Sequence, residues 1–258
     1  MMLFVVALVA LTASMLTFFS GFGLGTILMP VFALFFPIQT AIALTAIVHL
    51  LNNLFKLALV YRSINHKILL RFGVPAILFS FIGAYLLGYL DNSSMVLFEY
   101  SVASKTFTIK WNAFVVGLIL LVFSVLELSS RFDNWQVASK WQPVGGMITG
   151  FFGGLSGHQG ALCSVFLLMA GFDYISFFAT GVAIAWLVDF ARISIYSFSI
   201  NDFIENKVVL SVAVLSAFAG AYFGNKLFKK TSFAFLKWTV GVFMMIVSLL
   251  IISGVISK

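Results

Sequence analysis

The chain has 258 residues, of which 62% are hydrophobic and 9% charged, where a soluble domain carries about 25% charged residues. Polar side chains are therefore too few to coat a water-soluble globule, and a single cysteine, Cys163, excludes an internal disulfide and a cysteine-rich metal site. The net charge of +7 does not imply a nucleic-acid partner, because the basic residues sit in short loops beside apolar segments, where membrane proteins concentrate them.

No charged side chain occurs between Met1 and Phe55. The tract has no basic leader and no small-residue cleavage site, so Met1–Ser20 is expected to stay in the mature protein. Its first part, Met2–Phe36, would be about 50 Å long as one straight helix, against about 30 Å of hydrocarbon. Ser20-Gly21-Phe22-Gly23-Leu24-Gly25 interrupts it, and glycine breaks helices and permits tight turns. The segment reads as a hairpin of two short helices bent inside the membrane. Full spans follow at 38–61, 68–90 and 111–128.

A second uncharged tract, Trp141 to Phe172, repeats the interruption at Gly153-Gly154-Leu155-Ser156-Gly157-His158-Gln159-Gly160. It predicts a second hairpin, Gln142–Phe172, followed by spans at 174–198, 208–228 and 233–253. A shift of 136 residues lays Ser20-Gly21 on Ser156-Gly157, Asn53 on Asp189, Lys56 on Arg192 and Asn65 on Asn201. The expected fold is an all-α polytopic membrane protein of two repeats, 1–130 and 141–258, each a broken hairpin plus three spans. About ten helices result when the short ones are included. The loop with Arg62, Lys67 and Arg71 fits the cytoplasm, while its counterpart with Asp202 and Glu205 fits the outside. Equivalent loops on opposite faces make the repeats inverted.

In inverted-repeat transporters the ligand sits near the midplane, at broken helices. The helix after each bend presents unpaired N–H groups and a partial positive charge, which attract anions. The candidate oxyanion site comprises Ser20, Gly21, Gly23, Gly25 and Thr26 from the first bend and Ser156, Gly157, His158, Gln159 and Gly160 from the second. The bland reading is packing, since Gly21/Gly25 and Gly153/Gly157 are small-xxx-small pairs. Gly220 and Gly224, in an unbroken span, read as packing only.

His49, Asn52, Asn53 and Lys56 share one helix face by their i, i+3, i+4, i+7 spacing and are expected to look inward. Lys56 either lines the path or snorkels to the interface. His49 is a lining residue, a carrier of a coupling proton, or a structural hydrogen-bonder. Asp189 and Arg192, at i, i+3, form an intramembrane ion pair that either serves an anion or fixes packing. Arg192 is the stronger candidate for the anion because a guanidinium fits oxyanions in a bidentate way.

No His-Glu-x-x-His or Gly-x-Ser-x-Gly motif occurs, so neither an enzyme nor a bound cofactor or metal is expected. A secondary transporter is the leading reading, with a passive anion channel and a non-transporting structural or signalling protein as alternatives. A homodimer is left open.

The break followed by proline (Gly21-Phe-Gly-Leu-Gly-Thr-Ile-Leu-Met-Pro30), the Ala/Thr-rich Ala41-Ile-Ala-Leu-Thr-Ala-Ile-Val-His49, and the second break Gly154-Leu-Ser-Gly-His-Gln-Gly160 resemble the TauE/SafE family. That resemblance covers nearly the whole chain. It implies a multi-pass protein of the bacterial cytoplasmic membrane that carries a small sulfur-containing oxyanion or organosulfonate without ATP hydrolysis. The chain departs from the pattern with Phe166 where the first copy has Pro30, and with His158-Gln159 in the second bend.

Overall fold

The computed structural model describes residues 1–18, 24–92, 95–102, 105–129, 139–167, 173–196, 200–227 and 233–256. Helices α1 (Met2–Leu16) and α2 (Leu24–Ala33) form the first predicted hairpin, followed by α3 (Ile38–Val60), α4 (His66–Asn92) and α5 (Trp111–Leu128). Helices α6 (Gln142–Ser156) and α7 (Gly160–Leu167) form the second, followed by α8 (Tyr174–Ile195), α9 (Ile200–Leu227) and α10 (Phe233–Ile252). Among the described residues, five helices are long and apolar enough to cross a membrane, and α1, α2 and the Trp238–Ile252 part of α10 are shorter and apolar. The protein is thus a helical, multi-span membrane protein.

One element was not expected. Strands β1 (Val96–Val102) and β2 (Lys105–Lys110) form an antiparallel hairpin between α4 and α5, with Tyr100 opposite Phe107 and Phe98 opposite Ile109. The alternation puts Val96, Phe98, Tyr100 and Val102 on one face of β1. Of these, Tyr100 reaches the residue after α10, donating its hydroxyl to the Ser253 carbonyl at 2.5 Å, while Val96, Phe98 and Val102 stay exposed.

Two close helix pairs frame the molecule. Helix α6 lies along α4, because a Cβ at Gly146, Gly150 or Gly154 would overlap the carbonyl oxygen of Phe72, Ala76 or Ser80. The packing stripe is therefore Gly146-xxx-Gly150-xxx-Gly154, not the expected Gly153/Gly157 pair. Gly153 instead faces Gln159 and Val188, and Gly157 faces Arg192. Helix α1 lies along α9 in the same manner, with Gly220 and Gly224 against the carbonyls of Leu11 and Met15. Without a hydrophobic drive between helices in lipid, close approach of this kind supplies van der Waals cohesion.

Two further pairs run antiparallel. Between α3 and α8, the Asn65 N–H donates to Thr180 Oγ1 (3.0 Å), while His49, earlier in the chain, meets Asp189, later in α8. Between α5 and α10, Gly117 packs on Ile251 and Ile252, and Gly241 on Leu128. At the loop end of α8, Asp173 caps the helix by accepting from the Ser176 N–H (3.3 Å), which holds its carboxyl below the usual range.

Candidate functional site

An unbroken apolar helix offers lipid nothing but side chains, so polar residues within it must face protein. In α3 the residues His49, Asn52, Asn53 and Lys56 are all buried, as their shared spacing requires. In α8 the same holds for Asp189 and Arg192, both 0% exposed. What the spacing could not give is that the two stripes meet.

Asp189 lies at the meeting point. Its Oδ1 accepts from Arg192 Nε (3.0 Å) and Nη2 (2.7 Å) one turn along α8, and from Gln159 Nε2 (3.2 Å) at the start of α7. Its Oδ2 is 2.6 Å from His49 Nδ1 and accepts from Asn53 Nδ2 at 3.3 Å. An ionised carboxylate only accepts, so His49 carries its proton on Nδ1. Asn53 and Asp189, the residues brought together by the 136-residue shift, touch each other directly.

The start of α2 and the second bend both reach this cluster. A Cβ at Gly25, in the first turn of α2, would lie 3.6 Å from His49 Cδ2. Pro30 lacks an N–H, so the Thr26 carbonyl loses its helical partner there. At the second bend Gly157 ends α6 in the left-handed conformation (φ 81°), a region glycine enters without a Cβ penalty. Its missing side chain leaves room for Arg192, whose Nη1 would lie 2.7 Å from a Cβ. Gln159 then starts α7 by accepting from the Cys163 N–H at 2.9 Å.

Several buried polar atoms here have no hydrogen-bond partner among the described residues: Arg192 Nη1, His158 Nε2, Gln159 Oε1 and Asn52 Nδ2. An unpaired buried donor costs about 1–3 kcal/mol, and more when the group is charged. Three of these, on Arg192, His158 and Gln159, belong to the second bend, where a polar ligand would complete them, while Asn52 lies on α3 beside Ser14. Other candidates are already engaged. The Ser156 hydroxyl donates to the Phe152 carbonyl (3.1 Å), and Asn52 Oδ1 accepts from Ser14 (3.1 Å). His158 Nδ1 sits 2.9 Å from the Ser156 carbonyl, and its ring stacks on Phe123 of α5.

Lys56 does not join the Asp189 cluster. Its ammonium lies 5.7 Å from the Phe18 ring centroid. Thr26 is buried at the start of α2, and Gly160 opens α7. Ser20, Gly21 and Gly23 lie outside the described residues.

Two participants were missed from sequence. Tyr196, four residues beyond Arg192, donates its hydroxyl to the Gly154 carbonyl (2.6 Å) and ties the end of α8 to the second bend. The i+4 spacing from Arg192 was the available signal. Ser80 of α4 donates to the Val188 carbonyl (3.1 Å) and anchors α8 beside Asp189, with no sequence signal beyond its polarity.

Comparison with known proteins gives one match. The model of the family described as sulfite exporter TauE/SafE covers residues 6–251. No curated protein and no solved structure matches the chain.

Proposed function

The chain belongs to the sulfite exporter TauE/SafE family, a family of membrane transporters, and from that premise we propose that it is a secondary transporter of a small anion, sulfite or an organosulfonate. Transport runs by alternating access across the cytoplasmic membrane of a bacterium. The anion binds between the two bends. Arg192 supplies the charge, and Gly157–Gly160 and Gly25–Thr26 bring the starts of α7 and α2 to the ligand. His49, Asn52 and Asn53 line the path. Asp189 holds the guanidinium by two of its nitrogens and leaves the third to the substrate.

The observation that carries this reading is Arg192 Nη1, a fully buried guanidinium nitrogen without a hydrogen-bond partner among the described residues, aimed at the one glycine of the second bend in the left-handed conformation. Two halves of inverted topology are part of the proposal. The antiparallel runs of α3 against α8 and α5 against α10 support them, because an axis in the membrane plane reverses each element relative to its equivalent.

The test is ligand-induced thermal stabilisation of the purified protein with sulfite, sulfate, thiosulfate, sulfoacetate, taurine, phosphate and acetate. A ligand at 100 times its Kd stabilises the folded state by about 2.7 kcal/mol. A shift for one sulfur oxyanion, lost in Arg192→Lys, supports the site, since lysine keeps the charge and loses the planar fork. A flat panel, or equal shifts with every anion, would sink the sulfur-anion assignment.

A further inference from the structure

The charges in the Asp189 cluster balance without substrate. One carboxylate faces one guanidinium, and both are fully buried. Delivering an anion to Arg192 leaves that region one negative charge in excess, in surroundings that penalise unpaired charge by several kcal/mol. The group able to restore neutrality is already in contact with the pair. His49 donates Nδ1–H to Asp189 at 2.6 Å, so its basic nitrogen is Nε2, which Asn53 Nδ2 approaches only at 3.5 Å and which lies beside the Cδ2 edge that faces Gly25 of α2.

Resting on the anion-transport reading, we infer that His49 Nε2 is the proton-binding atom of a one-to-one proton–anion symport, with Asp189 as the positioning residue that fixes its tautomer. A proton from the aqueous side adds to the Nε2 lone pair as the anion reaches Arg192. Both leave on the other side, and no net charge crosses for a monoanion. The groups facing His49 from each neighbouring element fit one site of titration. Asp189 and Arg192 come from α8 and stay paired with each other. His158, at the bend before α7, has Nδ1 at the Ser156 carbonyl and Nε2 without a partner among the described residues, and its ring lies on Phe123 rather than on Asp189. Helix α9, which meets α3 through Phe218 on Phe55, carries no titratable side chain from Val208 to Ala221. Lys56 lies two turns along α3, over Phe18. Residues Gly25 and Thr26 of α2, and Ser14 of α1, carry no titratable side chain. His49 also bridges α3 of one half to α8 of the other, so adding a proton there acts on the contact that alternating access must remake.

The experiment uses the full chain in proteoliposomes with labelled methanesulfonate, whose own charge is constant between pH 6 and 8, and with sulfite in parallel. The wild type is expected to accumulate anion in the lumen about tenfold per unit of pH gradient with the acid side outside, because a tenfold ratio is the equilibrium of a one-to-one symport. Methanesulfonate flowing down its own gradient should acidify the lumen, as read by a trapped pH dye. His49→Gln should lose both gradient-driven accumulation and lumen acidification. Accumulation that survives in His49→Gln overturns the inference, as does net methanesulfonate uptake by the wild type without lumen acidification, and either result leaves the anion transporter standing. The dye measurement decides the matter on the wild type alone if His49→Gln does not fold. Absence of any exchange in the wild type would instead remove the anion reading and this inference with it.

Discussion

Lys56 and Arg192 occupy matching positions in the two repeats expected from the sequence, and both are buried, at 3% and 0% exposure. Arg192 has Asp189 one turn before it and is held by two hydrogen bonds. Lys56 has Asn53 at that position, and Asn53 reaches across to Asp189. Lys56 is left over the face of Phe18. The two halves have thus not built two copies of one site. They have pooled their polar residues into a single cluster around one carboxylate, and the leftover lysine has been turned to an aromatic ring. A fold with symmetric parts can place its chemistry asymmetrically.

The largest expected effect of breaking this contrast is in Asp189→Ala, which leaves a buried guanidinium unpaired and should cost about 3–5 kcal/mol. Thermal unfolding in detergent would measure it, and a paired Asp189→Leu/Arg192→Leu variant should recover most of the loss. Should the single variant prove neutral, Asp189 is not what holds Arg192. Next comes Gly157→Ala, expected to lose about 1–3 kcal/mol from strain in the left-handed region and to displace Arg192 from the bend. Gly88→Ala, where a Cβ would meet nothing within 4 Å, is the matched control and should fall within about 0.5 kcal/mol of the parent. The smallest effect belongs to Lys56→Met, which exchanges a cation over a ring for a thioether and should stay within about 1 kcal/mol. A loss from Lys56→Met as large as that from Asp189→Ala would show that the first half holds a charged site of its own.

Much of the fold was legible because a membrane span is a length of chain without charge. Residues 38–61 were expected and α3 is Ile38–Val60. Helix α9, however, begins at Ile200 rather than 208, since hydropathy marks the hydrocarbon and not the helix. Asn201, Asp202, Glu205 and Asn206 lie on turns that continue beyond it. The β-hairpin was passed over although Val96, Phe98, Tyr100 and Val102 alternate, because a seven-residue strand is too short to register among spans of twenty. Within the site, spacing placed Asp189 and Arg192 together and set His49 with Asn53. It gave no sign that His49 and Asp189, 140 residues apart, are bonded. Glycine spacing likewise could not choose between Gly146/Gly150/Gly154 and Gly153/Gly157, because the choice rests on which face α4 covers.

The seating of α1 against α9 has a consequence in time. The contacts of Leu11 and Met15 are made with Gly220 and Gly224, about 200 residues later in synthesis, which at 5–20 residues per second is a delay of about 10–40 s. Helix α6 has no such wait, since α4 precedes it. Helix α1 therefore waits for about 200 residues of translation before its glycine-lined partner α9 is made to seat it. A ribosome stalled before Gly220 would leave α1 as the exposed element, which makes the order of assembly readable by crosslinking Leu11 to its surroundings as the chain grows.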